Sequence, residues 1–290
     1  MIPAAFEYVA PRSLAEAIGL LERHGPDAKV IAGGQSLIPA MRFRLSTPGL
    51  LVDIGRIPGL DILAEEDGVL RIGALVRHAD LEHSPLIRRR YPLLAGAARV
   101  VADPLVRNLG TVAGSLAHAD PAGDWGAALL AARAEVVLTG PRGQRTLALD
   151  DFLVDTFTTA LEPAELLTEV RVPAPGPRSG GSYQKIERKV GDFATAAVGV
   201  QVAVGEDGRC TAAGIGLCAV GPTSLRAREA EAFLVGQPLT EAVFARAGEL
   251  AAAACSPVAD TRGSEEFKRD MVRVLTVRAL RAAAAQALAA

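Results

Sequence analysis

Two stretches of small residues, far apart in the chain, constrain it more than anything else. Val30–Leu37 reads VIAGGQSL and Arg107–Trp125 reads RNLGTVAGSLAHADPAGDW. Both place Gly, Ala, Ser and Thr where a backbone must pass close to something bulky. Peptide N–H groups left bare in such turns can cradle a diphosphate, and two such turns suggest a clamp on a dinucleotide. The first turn lacks the GxGxxG of a Rossmann fingerprint and the GK[ST] of a P-loop. In it, Gly33 and Gly34 can expose amides and Ser36 can add a hydroxyl donor. In the second, Thr111 and Ser115 can donate hydroxyls and Gly114 permits close approach. Read singly, the first is also compatible with an ordinary strand-to-loop turn.

The elements around these turns read as α+β. Ser13 can cap a first helix, with Glu16 completing a capping box. Leu14, Ala17, Ile18 and Leu21 then recur at helical spacing, and Gly25 is placed to end the helix. AKVIAGG and LLVDIGRI read as short strands. From Gly68 the texture changes. GVLRIGALV alternates like a half-buried strand, DLEHSPLIRRRYPLLAGAARVV is helical and broken by prolines, and AEVVLTGPRGQRTLAL reads as strand, turn and strand. ELLTEVRVP adds a further strand, so this region predicts a mainly antiparallel sheet with helices around it. VPAPGPRSGGS, Val172–Ser182, is the best boundary. Beyond it three strands and three helical segments follow. The last helix starts near Ser264, with Glu265 and Glu266 in its first turn and Phe267, Met271, Val274 and Leu275 on one core-facing side. The predicted organisation is 1–176, with subdomains of about 1–56 and 57–176, followed by 177–290.

Composition excludes several classes. At 290 residues a large core can be buried, and one to three domains fit. No apolar run reaches the roughly 20 residues of a membrane-spanning helix. No basic region leads into an apolar stretch near Met1, so a cytoplasmic protein is the default. Net charge is −2, and the basic cluster Arg88–Arg90 has little aromatic support, which argues against nucleic acid. Cys210, Cys218 and Cys255 form no CxxC pair and fall short of the four thiolates usual for an iron–sulfur cluster. They read as buried thiols in a reducing compartment. His24, His78, His83 and His118 form no metal-spacing motif.

The wording of the turns carries a resemblance. AGGQSL followed by GTVAGSLAHADPAGD, then SYQKIERKVGDFATAA and DTRGSEEFKRDMVRVLTVRAL, resembles the flavin subunits of molybdenum hydroxylases. That family includes the medium subunit of aerobic carbon monoxide dehydrogenase and the flavin part of xanthine dehydrogenase. The resemblance covers nearly the whole chain in the family's order. It implies a vanillyl-alcohol-oxidase/p-cresol-methylhydroxylase-like FAD-binding fold of two α+β subdomains. It also implies a C-terminal domain of a three-stranded antiparallel sheet and helices.

It further implies non-covalent FAD held by Val30, Ile31, Ala32, Gly33, Gly34, Gln35, Ser36 and Leu37, and by Thr111, Val112, Ala113, Gly114 and Ser115. Related chains usually carry Gly at the position of Ala113 and often Asn at that of Ser115. The Cβ of Ala113 therefore puts a positive φ there in question. Asp124 matches an acid on the cofactor, while Asp120, before Pro121, suits a turn or cap equally well. Lys185 matches a lysine near the flavin, where a cation favours the reduced ring. Its alternative is the solvent face of a strand. Val101 and Leu167 match apolar positions touching the ring or adenine, and Phe193 an aromatic near the ring. Each of the three is also an ordinary packing residue.

The implied activity is that of an oxidoreductase subunit that transfers electrons. A small partner subunit with two [2Fe–2S] clusters and a large partner carrying the molybdenum cofactor complete the complex, usually a dimer of heterotrimers. A self-contained FAD oxidase with its own substrate site is one alternative. A non-enzymatic nucleotide-binding scaffold is another.

Overall fold

A computed structural model describes residues 2–289. The chain opens with β1 (Glu7–Val9), α1 (Leu14–His24), β2 (Ala28–Ile31), α2 (Leu37–Arg42) and β3 (Leu50–Asp53). The strands form a parallel sheet in the order β1-β3-β2. Parallel strands need crossovers, and α1 supplies one by laying Ala17, Ile18 and Leu21 against the sheet. Ser13 Oγ accepts the Glu16 N–H as expected, and Gly25 ends the helix at φ 53°. The Glu16 carboxylate, however, accepts from the Arg12 N–H rather than that of Ser13, so the box closes one residue early.

The second region runs β4 (Leu63–Glu66), β5 (Val69–Gly73), then α3 (His78–His83), α4 (Pro85–Arg90), α5 (Pro92–Val100), α6 (Pro104–Arg107), α7 (Val112–His118) and α8 (Asp124–Ala131). It continues with β6 (Glu135–Gly140), β7 (Gly143–Ala148), α9 (Leu149–Phe152), β8 (Leu153–Asp155), β9 (Thr158–Thr159) and β10 (Leu166–Pro173). The main sheet has the order β4-β5-β10-β6-β7 and is antiparallel throughout, as the alternating apolar pattern predicts. The six helices between β5 and β6 are cut short by Pro85, Pro92 and Pro104, each in the first turn of its helix. Every residue of α8 is buried, as an almost wholly apolar helix requires.

The third region contains β11 (Ser179–Ile186), β12 (Ala196–Val204), β13 (Cys210–Cys218), β14 (Leu225–Arg226), α10 (Arg228–Leu234), α11 (Glu241–Ala253) and α12 (Glu265–Ala289). Its sheet has four antiparallel strands, not the three expected. The fourth, β14, pairs only Leu225 and Arg226 with β13, too short a run to show an alternation. The face of α12 also differs from expectation. Val272, Leu275, Thr276, Ala279 and Ala283 form the buried stripe, while Phe267 stays 41% exposed. Small residues on the inner stripe let α12 lie close on β11 and β12. The three cysteines are free and buried. α8 is seated on the third sheet, where a Cβ on Gly214 or Gly216 would collide with the carbonyls of Ala131 and Ala127. This contact joins the second and third regions. No helix among the described residues is long and apolar enough to cross a membrane.

Candidate functional site

The first turn connects the end of β2 to the start of α2. Gly34 sits at φ 70°, in the left-handed region that glycine adopts without strain. Gly33 is required for a different reason. A Cβ there would collide with the Leu109 carbonyl oxygen and lie 2.7 Å from Gly110 Cα. The first turn therefore rests directly on the approach to the second. The Gly34 carbonyl accepts the Ile38 N–H, the Ser36 carbonyl accepts the Ala40 N–H, and Gln35 Nε2 donates to the Gly33 carbonyl at 3.2 Å. The amides of Gly33 to Leu37 donate to no acceptor among the described residues. The exposed hydroxyl of Ser36 makes no bond to α2 either. Val30 and Ile31, half-buried in β2, aim this row of free donors.

The second turn is built on a helix start. Asp103 caps α6, and Thr111 caps α7 by accepting the Gly114 N–H on its hydroxyl at 3.0 Å. Val112 N–H donates to the Val76 carbonyl. Ala113 lies inside α7, with 2% exposure and no positive φ, so its methyl group fits the core without strain. Gly114 is exposed and Ser115 half-buried on the first turn of the helix. Asp120 accepts the Ala122 N–H at 2.9 Å, the turn role that its place before Pro121 suggested.

Behind the turns lies a buried polar cluster. Asp124, 6% exposed, opens α8 and accepts Tyr183 Oη and Lys185 Nζ, both at 2.9 Å. Lys185 Nζ also donates to the Val100 carbonyl at 2.9 Å and sits 3.3 Å from Glu187 Oε2. Its side chain is 3% exposed, which rules out the solvent-face alternative. The ammonium is thus held between two carboxylates and a carbonyl. Burial pushes the Asp124 carboxyl above its ordinary value, against the pull of Lys185 and Tyr183. Burial beside Asp124 likewise raises the Tyr183 phenol well above its usual range. Neither Tyr183 nor Glu187 was legible as a site residue. Spacing gave one unused signal, since Tyr183 and Lys185 are two apart on a strand and so share a face.

The apolar candidates separate. Val101 is half-buried and follows the carbonyl that Lys185 holds. Ala102 beside it is left-handed at φ 45°, and Arg107 Nη1 takes the carbonyls of both. Glu82 anchors Arg107 in turn, 2.7 Å from its Nε. The loop carrying Phe193 reaches the same place, where a Cβ on Gly191 would come within 3.1 Å of the Ala102 carbonyl oxygen. Phe193 itself is 49% exposed. Leu167, 6% exposed, belongs to the core on β10, next to a bulge in its pairing with β6 and on the strand against which α7 packs.

In an α+β protein, a parallel βα turn with free amides, pressed against a capped helix start, is an arrangement able to receive phosphate oxygens. Residues 4–175 match the family described as the FAD binding domain in molybdopterin dehydrogenase, and residues 181–283 match the CO dehydrogenase flavoprotein C-terminal domain. The chain is 43% identical to the carbon monoxide dehydrogenase medium chain of Hydrogenophaga pseudoflava, with 98% of each chain covered. It is 36% identical to the nicotine 6-hydroxylase medium subunit of Paenarthrobacter nicotinovorans, covering 95% of this chain and 96% of the relative. The solved Hydrogenophaga carbon monoxide dehydrogenase lacking the Mo-pyranopterin moiety superimposes with a TM-score of 0.96 at 44% identity, with 99% of each chain covered. The chain belongs to the flavoprotein medium subunits of the molybdenum hydroxylases, and it is an oxidoreductase subunit with an FAD-binding domain.

Proposed function

We propose that this chain binds one FAD non-covalently and works as the electron-transfer subunit of a molybdenum hydroxylase complex. Bound FAD would accept electrons from the [2Fe–2S] clusters of a small partner subunit and release them to an external acceptor. A large partner subunit would hold the molybdenum cofactor and oxidise the substrate, in a dimer of heterotrimers located in the cytoplasm. The observation that carries the reading is the row of unused amides from Gly33 to Leu37, in a turn whose Gly33 packs on Leu109 and Gly110 in a chain of this family. Five donors without acceptors in one half-buried or exposed turn suit the oxygens of a diphosphate. Gly114 leaves the start of α7 free of a side chain. Asp124 and Lys185 would place a compensated charge cluster beside the flavin, and Val101, Leu167 and Phe193 would supply apolar contact.

On this reading 1–176 is the FAD-binding domain, of vanillyl-alcohol-oxidase/p-cresol-methylhydroxylase type, with its subdomains dividing near residue 56. Residues 177–290 are the C-terminal flavoprotein domain. The change of sheet between β10 and β11 supports that division. Relatives named for carbon monoxide, nicotine and glyceraldehyde match at 43%, 36% and 32% identity. That spread supports a substrate pocket lying on another subunit.

Acid precipitation of the purified chain tests the reading. It should release all flavin as FAD, and metal analysis should find neither molybdenum nor iron. FMN, flavin retained on the pellet, or turnover of an organic substrate by the single chain would overturn it.

A further inference from the structure

The second turn is held from behind by two residues outside the proposed flavin contacts. His78 is 5% exposed and Trp125 is fully buried, and the indole Nε1–H donates to His78 Nδ1 at 2.9 Å. An indole nitrogen can only donate, so Nδ1 is the acceptor and the imidazole proton sits on Nε2. Burial, helped by the positive charge of Arg107, lowers the His78 pKa to about 4 and keeps this ring neutral. The ring faces the backbone of Gly110, where a Cβ would lie 2.7 Å from Nε2 and 3.0 Å from Cδ2.

The main chain repeats the contact. His78 N–H donates to the Gly110 carbonyl at 3.0 Å, Val112 N–H donates to the Val76 carbonyl at 3.1 Å, and Arg77 and Thr111 form a bridge. Residues 76–78 and 110–112 are thus one short ladder. Its ring end is fixed by Trp125 at the start of α8. On the other side, Gly33 rests on Leu109 and Gly110. The gap between the two turns is therefore set at Gly110, with Gly33 on one side and the imidazole on the other.

We propose that His78 and Trp125 are positioning residues for the flavin diphosphate: their hydrogen bond holds the imidazole against Gly110 and so fixes the spacing of the two turns. This rests on the FAD reading above. The pair has no contact with the free amides of the first turn. Its effect passes through the backbone at Gly110, where a small shift moves Gly33 and Thr111 relative to each other. Binding by oriented donors is sensitive to such shifts, because each amide must meet an oxygen at hydrogen-bond distance.

The test uses the full-length chain stripped of flavin and retitrated with FAD by calorimetry. Trp125, the only tryptophan, reports the state of the bond through its emission. In His78→Leu the acceptor is gone, and in Trp125→Phe the donor is gone. Both should weaken FAD binding by about tenfold or more. His78→Asn places a carbonyl oxygen where Nδ1 stood and should restore affinity to within roughly threefold of wild type. It should also return the Trp125 emission that His78→Leu shifts. A residue that served only the core would lower the flavin-free melting temperature in the Leu and Asn variants alike, without separating their affinities.

Leu and Phe variants that both bind FAD as wild type does would overturn the proposal, and so would an Asn variant as weak as Leu. If His78→Leu does not fold, Trp125→Phe against His78→Asn decides the matter. A wild-type chain that takes up no FAD would overturn the flavin reading itself. Wild-type uptake with unaffected variants would overturn only the positioning role.

Discussion

The turn Ala32–Leu37 and the cluster of Asp124, Tyr183 and Lys185 handle their polar groups in opposite ways. The turn leaves a row of amides without partners among the described residues, in half-buried or exposed positions where water can take the bond at little cost. The cluster is buried, and its three side chains satisfy one another and the Val100 carbonyl. A buried charge without a partner costs several kcal/mol, roughly, whereas an unpaired amide in an open turn does not. On the proposed reading the turn receives an oxygen-rich ligand, while the cluster holds its own geometry. Damage to the turn should therefore appear first in flavin content, and damage to the cluster first in stability.

The largest effect on that contrast is expected from Gly33→Val. Its branched side chain would meet the Leu109 carbonyl and force the two turns apart. Flavin binding should be lost, while the flavin-free chain loses only about 1–3 kcal/mol. Absorbance of the purified variant checks this, and a normal FAD stoichiometry would remove the cradle assignment. Lys185→Met comes next. It strands Asp124 and Glu187 without their ammonium, and unfolding in urea should show a loss of about 3–5 kcal/mol. A variant as stable as wild type would mean that the ion pair contributes nothing.

Tyr183→Phe removes one donor to the Asp124 carboxylate but leaves Lys185 in place. A loss of about 1.5–3 kcal/mol is expected from the same measurement, with flavin content unchanged. Flavin loss without a stability change would reverse the distinction drawn between the two regions. Thr111→Ala is the mildest. It deletes the cap of α7 and should cost about 1 kcal/mol in the thermal melt of the flavin-free chain. Its FAD affinity should also fall modestly, because the cap fixes the start of α7, which the proposed site uses.

The two regions also differ in how far they could be read in advance. The turns were legible because what matters there is the absence of side chains over a few consecutive residues, and that is a local property. α1 was legible from Ser13 to Gly25 for the same reason, as was the β6–β7 hairpin around its GPRG turn. The cluster was not. Asp124 and Lys185 were picked out as separate contacts to a ligand, yet they bond to each other across 61 residues of sequence. β14 was missed because two residues carry no period. The face of α12 was assigned to its large apolar residues, although its alanines are what let it lie close against the sheet.

By itself, then, the sequence determined the α+β succession of elements, the two places where the backbone must pass close to something, and the family whose wording those places share. Those are consequences of local propensity and spacing. The tertiary structure alone decided that Gly33 is small to admit Leu109 and Gly110, that Ala113 is helical, and that Lys185 faces inward to Asp124. Each of these depends on which distant segment fills the space beside a residue. That is settled only when segments distant in sequence pack together, as α8 does on the third sheet, and nothing in the residue's own neighbourhood encodes it.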